Sequence, residues 1–206
     1  MKVKICGIAN RENLLEIIEL NPDFMGFIFY PFSPRYMKDK LSPVDLLEIP
    51  VSINKTGVFV NMNVIEIVDI VSKYNLDYIQ LHGNESIDDC KQLSSSGLNV
   101  IKAFRLNKDF NFDILSEYIP YCRCFLFDTY TPEYGGSGKK FNWDIIKKYK
   151  SGHPFLLSGG IEPSDAEKIL SFSHPSFIGI DLNSRFELSS GIKDVDKLKM
   201  LMKSVR

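Results

Sequence analysis

The stretch VKICGIANRENLLEIIELNPDFMGFIF, residues 3–29, contains the repeating unit of this chain. Residues 3–6 and 24–29 are short apolar runs of the kind that form buried strands. Apolar residues at helical spacing lie between them, namely Leu14, Leu15 and Ile18. A strand, a helix and a second strand in this order predict a βαβ unit, in which the two strands are parallel.

The same alternation continues to the end of the chain. Six further apolar, β-branched or aromatic runs predict strands at residues 56–60, 78–81, 100–104, 122–127, 154–157 and 177–180. Helical spacing recurs between and after them at Ile65/Val68/Val71, Ile145/Ile146/Tyr149 and Leu198/Leu201. Strand starts are about 22 residues apart, lengthening to about 30 before the third and seventh strands. Eight such units predict a (β/α)8 barrel, with an open doubly wound sheet as the alternative.

Length and charge restrict the class of protein. The 206 residues, 44% of them hydrophobic, are enough for one domain with one core, which we expect to span residues 1–206. Lys and Arg total 25 against 26 Asp and Glu, and no basic run is present, so we expect no nucleic-acid partner. No signal-peptide or membrane-spanning apolar stretch occurs, so we expect a cytoplasmic protein without a membrane segment.

Cysteines and histidines show neither a disulfide nor a metal pattern. The cysteines are Cys6, Cys90, Cys122 and Cys124, and the histidines are His82, His153 and His174. Buried free thiols are the simplest interpretation, with Cys122 and Cys124 on one face of a strand. The histidines have no paired spacing, so we expect no metal site.

The ends of the predicted strands are unusually polar. They carry Cys6 and Gly7, Gln80 and His82, Asp128, Ser158 with Gly159 and Gly160, and Asp181. Each has an ordinary structural explanation, such as a helix cap or a turn. In a barrel, however, all of these ends meet at the catalytic face, so together they predict a pocket.

Two glycine clusters differ in what they predict. SGGI, residues 158–161, offers backbone N–H groups after the seventh strand, where barrels often bind phosphate, and predicts a phosphorylated substrate. GGSGKKFNW, residues 135–143, lacks the P-loop spacing and has Lys140 where Ser or Thr should bind magnesium, which excludes nucleotide hydrolysis. We expect a flexible lid there, with Lys139 or Lys140 available to an anionic substrate.

Seven motifs in order resemble the phosphoribosylanthranilate isomerase family over essentially the whole chain. They are KICG (4–7), SPR (33–35), GVFVN (57–61), QLHG (80–83), Asp128 followed by GGSG (135–138), SGGI (158–161) and GID (179–181). The resemblance implies an enzyme of tryptophan biosynthesis that isomerises a phosphosugar by an Amadori rearrangement without a cofactor. It implies a small-molecule phosphosugar as partner, and a monomer or a homodimer.

The resemblance also implies roles for individual residues. Asp128 is the acid that protonates the furanose ring oxygen, and Cys6 is the base that removes the C2 proton. Arg35 clamps the anthranilate carboxylate, although a lone loop arginine is usually solvated. Phosphate is assigned to backbone groups of two loops, at Gly159, Gly160, Asn183 and Ser184. Asp181 either contacts sugar hydroxyls or supports a neighbouring loop.

Two positions leave alternatives open. As a base, Cys6 needs a stabilised thiolate, that is, a lowered pKa, and Lys4 on the same strand face either supplies the positive potential or pairs with a carboxylate inside the barrel. Arg185 stands where the family usually has glycine. Its side chain either points to solvent or folds over the phosphate, and we favour solvent because a bulky residue disfavours a positive φ.

Two other classes of protein share parts of this pattern. A histidine-pathway isomerase or an indole-glycerol-phosphate synthase would share the phosphate loops but carry other acid and base groups, and Cys6 argues against both. A barrel that only binds a partner would need no acid and base, so Cys6, Asp128 and Arg35 together disfavour it.

Overall fold

A closed barrel of eight parallel strands forms the centre of the protein. The computed structural model describes residues 1–129 and 143–206. Each strand pairs with the next, and the eighth pairs with the first, so the (β/α)8 prediction is confirmed and the open sheet is wrong. The strands are β1 (Lys2–Cys6), β2 (Phe24–Ile28), β3 (Asn54–Phe59), β4 (Tyr78–Leu81), β5 (Asn99–Leu106), β6 (Cys124–Thr129), β7 (Phe155–Leu157) and β8 (Phe177–Leu182).

Helices surround this barrel on the outside. The α-helices are α1 (Arg11–Ile18), α2 (Pro43–Leu46), α3 (Val64–Tyr74), α4 (Ile87–Ser95), α5 (Ala166–Ser171) and α6 (Val195–Val205). Ser42 and Ser86 begin α2 and α4 with capping boxes that satisfy the first N–H groups. The segment Trp143–Lys148 before β7, predicted as a helix, forms a 3-10 helix. After β8, a hairpin of β9 (Glu187–Ser189) and β10 (Ile192–Lys193) precedes α6.

The apolar core has two layers because side chains alternate along each strand. Phe125 and Phe127 of β6 point outward, and Phe127 packs against Tyr149 with 5.2 Å between ring centroids. Cys124 and Leu126 alternate with them and belong to the smaller cluster inside the barrel. Lys4, Gln80 and Asp181 are also buried, at strand positions that alternate with residues of the outer cluster and therefore face this interior.

Two details of the predicted packing are wrong. All four cysteines are free and buried as expected, but Cys122 belongs to the outer cluster and Cys124 to the inner one. Cys122 precedes the first residue of β6, so strand alternation does not place the two side chains on one face. In α3, Ile65 is 71% exposed while Ile67 and Val71 are buried, because apolar residues cover more than one face of this helix.

No helix within residues 1–129 and 143–206 is long and apolar enough to cross a membrane.

Candidate active site

Cys6 ends β1 at the carboxyl-terminal rim of the barrel, and its thiol is 3% exposed. Gly26 of β2 lies opposite it in register, and a Cβ at Gly26 would lie only 2.8 Å from Cys6 Sγ. The missing side chain of Gly26 therefore makes the space that the thiol occupies. Gly7, directly after Cys6, has a φ of +82°, which turns the chain sharply beside the thiol.

A buried ion pair lies beside this thiol. Lys4 Nζ donates to Asp181 Oδ1 at 2.9 Å, and the two residues are partners in the register of β1 and β8. Their side chains are 0% and 4% exposed. Of the two alternatives for Lys4, pairing with a carboxylate inside the barrel is confirmed. The charge of Lys4 also acts to lower the pKa of Cys6, so the second alternative, positive potential at the thiol, is supported as well.

The pKa of Cys6 is nevertheless raised above its ordinary value, so the predicted lowering is wrong. Burial has the largest effect, because it disfavours the thiolate. Lys4 and Lys193 act in the opposite direction, while the nearby charge of Asp181 adds to the increase. The two lysines offset the burial only in part, so the thiol is protonated in the resting protein.

Asp128, near the end of β6, is held by His82, which directly follows β4. Its Oδ2 lies 3.1 Å from His82 Nε2, and its Oδ1 accepts from the backbone N–H of Thr129. Gln80 Nε2 donates to His82 Nδ1 at 2.7 Å, which leaves the proton of a neutral imidazole on Nε2, directed at Asp128. The polar residues predicted at two separate strand ends thus form one hydrogen-bonded chain.

A second buried ion pair fixes the loop that carries His82. Lys102 Nζ lies 2.9 Å from Glu85 Oε2, and it also donates to the carbonyl oxygens of Leu81, Gly83 and Ala103. Glu85 in turn accepts from the backbone N–H groups of Gly83 and Asn61. These contacts hold the backbone on both sides of His82 in place. The pair was not predictable from the sequence, because no motif links residues 85 and 102.

The loops after β7 and β8 carry the four residues to which phosphate binding is assigned. Gly159 and Gly160 have φ values of +90° and +68°, which side chains disfavour. A Cβ at Gly159 would lie 2.2 Å from Thr129 Oγ1, so this loop abuts the end of β6. Asn183 and Ser184 are half-buried, and Ser184 begins a 3-10 helix that ends at Phe186.

Arg35 is buried at 8% exposure, so the expectation that a lone loop arginine is solvated is wrong. Its guanidinium makes a bidentate ion pair with Glu187 of β9. A Cβ at Gly7 would lie 2.8 Å from both Arg35 Cδ and Asn183 Oδ1, so these residues meet directly beside the end of β1. The structure thus brings Arg35 to the same rim as Cys6.

The hairpin of β9 and β10 contributes two charged residues that sequence reasoning missed. Glu187 and Lys193 have side chains 6% and 0% exposed and lie 2.8 Å apart. Lys193 Nζ also donates to Asn183 Oδ1 at 2.8 Å. Burial lowers the pKa of Lys193, and the charge of Glu187 opposes that shift. The only signal of these two residues in the sequence is that they are charged residues with long side chains in a segment predicted to be a loop.

Arg185 lies in the short 3-10 helix after β8. The side chain of Arg185 is exposed and its φ is not positive, which agrees with the solvent-facing alternative. Lys139, Lys140 and the rest of the predicted lid up to residue 142 lie outside the described residues. Within the described part of the chain, no group of three or more His, Cys, Asp or Glu residues is arranged to hold a metal ion.

Almost the whole chain, including this rim, matches a known protein family. A model of the N-(5'-phosphoribosyl)anthranilate (PRA) isomerase family matches residues 3–204. The chain is a member of the phosphoribosylanthranilate isomerase family. The resemblance carried by the seven motifs is confirmed, since the match extends over almost the whole sequence.

Individual phosphoribosylanthranilate isomerases agree with the match. The N-(5'-phosphoribosyl)anthranilate isomerase of Parabacteroides distasonis is 44% identical over 216 residues, covering 100% of this chain and 93% of that protein. A crystal structure of monomers generated from the dimeric isomerase of Thermotoga maritima has a TM-score of 0.80 at 31% identity, covering 100% of this chain and 98% of that one. A further isomerase structure holds reduced 1-(o-carboxyphenylamino)-1-deoxyribulose 5-phosphate; its TM-score is 0.82 at 32% identity, with the same coverage of 100% and 98%.

Proposed function

We propose that this chain converts N-(5-phosphoribosyl)anthranilate into 1-(2-carboxyphenylamino)-1-deoxyribulose 5-phosphate in tryptophan biosynthesis. The observation that carries the proposal is a thiol and a carboxyl group on one rim of a barrel of this family. Cys6 ends β1 and Asp128 lies at the end of β6, with β7 and β8 between them in the closed ring. A sugar bound over the rim would therefore meet the two groups from different sides.

Asp128 is the proposed general acid. Its proton passes to the furanose ring oxygen while the bond from that oxygen to C1 breaks, and the nitrogen lone pair forms the C1=N bond of a protonated imine, whose positive charge is neutralised when the C2 proton is removed. The contact with His82 orients the carboxyl group, and Gln80 orients the imidazole. The hydrogen bonds that link Gln80, His82 and Asp128 are formed before substrate binds. The site therefore needs little reorganisation in this step.

Cys6 is the proposed general base. Its thiolate removes the C2 proton, the C2 electron pair forms the double bond to C1, and the imine nitrogen becomes the amine of an enolamine. Loss of the hydroxyl proton and protonation at C1 then give the ketone. All electrons stay within the substrate, so we propose no cofactor. Burial raises the pKa of Cys6, and the positive charges of Lys4 and Lys193 act against that rise and so favour the thiolate.

Binding groups surround the acid and the base. Arg35 would take the anthranilate carboxylate through parallel hydrogen bonds, and its place beside Gly7 supports this role. Backbone N–H groups at Gly159, Gly160, Asn183 and Ser184 would take the phosphate. The ion pair with Lys4 supports a structural role for Asp181 and leaves its contact with sugar hydroxyls a proposal.

The remaining parts of the proposal concern domain organisation, partner, location and oligomeric state. We propose that residues 1–206 act as one domain with a phosphosugar as their small-molecule partner, and that the protein works in the cytoplasm. The dimeric relative from Thermotoga maritima supports a homodimer as one of the two predicted states, the monomer being the other. Sedimentation of the purified chain would separate them.

A steady-state assay tests the function. The purified chain should convert N-(5-phosphoribosyl)anthranilate. It should act neither on the aldose substrate of the histidine-pathway isomerase nor on the substrate of indole-glycerol-phosphate synthase. Absence of turnover with the anthranilate substrate would refute the proposal. Arg35→Ala should weaken anthranilate-containing ligands and leave ribose 5-phosphate little affected, and equal weakening of both would contradict the carboxylate clamp.

A further inference from the structure

We propose that Glu187 is a positioning residue that holds Arg35 in the orientation needed to bind the substrate carboxylate. The inference rests on the proposed function and adds to it a residue from outside the eight barrel strands. Glu187 opens the hairpin after β8, whereas Arg35 lies in the connection after β2, and 152 residues separate them in sequence.

The contact occupies one edge of the guanidinium and leaves another available. Arg35 Nε lies 2.8 Å from Glu187 Oε1 and 3.0 Å from Oε2, and Nη2 lies 2.6 Å from Oε2. These atoms belong to the side edge of the planar group. The end edge, formed by Nη1 and the second N–H of Nη2, is not used by Glu187, and a carboxylate can bind there in parallel geometry. Glu187 thus fixes the guanidinium plane without occupying the edge that a ligand needs.

Glu187 is itself held on a second side. Lys193 Nζ donates to Glu187 Oε1 at 2.8 Å, and the backbone N–H of Gly191 donates to the same oxygen at 3.2 Å. The backbone of Lys193 is in turn fixed by Asn13, whose Oδ1 accepts from Lys193 N and whose Nδ2 donates to Lys193 O. The carboxylate therefore has little freedom, which is the property that a positioning residue requires.

The charges of the cluster suit an anionic ligand. One carboxylate faces two cations, Arg35 and Lys193, and all three side chains are at most 10% exposed. The cluster has an excess of positive charge in a region of low dielectric, where it attracts an incoming carboxylate strongly. The neighbouring Lys4 and Asp181 pair carries no net charge and does not cancel this excess.

Glu187→Gln tests the proposal, because it keeps the shape of the side chain but removes its charge and its bidentate geometry. We expect KM for the anthranilate substrate to rise about tenfold while kcat falls less than threefold. Calorimetric titration should show a similar loss of affinity for the reduced product analogue, while affinity for inorganic phosphate changes less than threefold. Unchanged affinity for the analogue, tighter binding of it, or equal weakening of phosphate would each overturn the proposal.

Three further variants make the result specific. In an Arg35→Ala background, Glu187→Gln should change affinity for the analogue less than twofold, because its effect passes through Arg35. Glu85→Gln, which removes a carboxylate from a different buried lysine, should leave the ratio of analogue to phosphate affinity unchanged. If Glu187→Gln does not fold, Glu187→Asp keeps the negative charge but shortens the side chain by one methylene, which breaks the bidentate contact with Arg35 and should show the same split between the two ligands.

The outcome also separates this inference from the proposed function. A wild-type chain that binds the analogue and turns over the substrate, with a Glu187→Gln variant that matches it, refutes only the role of Glu187. A wild-type chain that neither binds the analogue nor turns over the substrate refutes the proposed function, and the role of Glu187 with it.

Discussion

Lys4 and Lys102 are two buried lysines at the same rim with nearly the same ion-pair geometry. Each Nζ lies 2.9 Å from a carboxylate oxygen, and their side chains are 0% and 3% exposed. Their other contacts differ. The charge of Lys4 acts on the thiol of Cys6 and lowers its pKa, whereas Lys102 donates to three backbone carbonyl oxygens. The Lys4–Asp181 pair therefore acts on a reactive group, whereas the Lys102–Glu85 pair fixes the conformation of a loop.

The difference follows from where the partner carboxylate lies. Asp181 is on β8, directly beside Lys4 of β1, so this pair is part of the barrel interior next to the thiol. Glu85 is in the loop after β4, so Lys102 draws that loop onto β5. A buried ion pair often stabilises a protein no more than a well-packed apolar pair, so net stability does not explain either one. We infer that each pair organises its surroundings.

Lys102→Met should have the largest effect of any single substitution at this rim. It leaves Glu85 buried without its counter-charge and frees the loop, which should lower the free energy of unfolding by about 3–5 kcal/mol. Chemical denaturation measures this. The double variant Lys102→Met with Glu85→Leu should recover most of the loss, because no unpaired charge stays buried. A single variant that loses less than about 1 kcal/mol would contradict a structural role for Lys102.

Cys6→Ala and Asp128→Asn test the two proposed catalytic residues. One is the thiol beside the Lys4–Asp181 pair, and the other is the carboxyl group held by His82. Each should lower kcat by at least about 10², because one proton transfer loses its catalyst. Ligand affinity should stay within tenfold, as titration with the reduced product analogue would show. Turnover close to that of the wild type in either variant would refute the role of that residue.

Lys4→Met tests, through the pH dependence of kcat/KM, whether Lys4 acts on the thiol of Cys6 in a way that Lys102 does not. Lys4 lowers the pKa of Cys6, so its loss should raise that pKa further above the ordinary value. Because the base acts as thiolate, the limb of the kcat/KM profile that reports Cys6 should move to higher pH. The Lys102→Met, Glu85→Leu protein is the matched control, and its limb should not move. If the Lys4→Met profile coincides with that of the wild type, Lys4 has no part in tuning the thiol.

Arg185→Gly should have the smallest effect at this rim. The side chain is exposed, so restoring the glycine that the family usually has should change KM less than threefold at low and at high salt. Arg35, at the same rim, is instead buried at 8% exposure. An increase of about tenfold in KM with a weaker salt dependence would show instead that Arg185 contacts the phosphate.

The sequence by itself determined eight parallel strands and the polar edge at which they end, while closure of the barrel over an open sheet was decided by the structure. Eight apolar runs at regular spacing specify parallel strands, because each run is too short for a helix and each connection is long enough for a crossover. All eight strands form within two residues of their predicted ends. The polar residues at the ends of those strands, including Cys6 and Asp128, could be assigned to one edge because the carboxyl ends of parallel strands point the same way.

Only the tertiary structure decided which charged groups meet. Lys4 pairs with Asp181 across 177 positions and Arg35 with Glu187 across 152, and both contacts form because the barrel closes and the last hairpin folds over its first strands. The pKa of Cys6 also depends on this closure, since burial and the charges of Lys4, Asp181 and Lys193 reach the thiol only in the folded chain. Local periodicity specifies strands and helices, whereas burial and pairing of charge depend on distances between residues far apart in sequence.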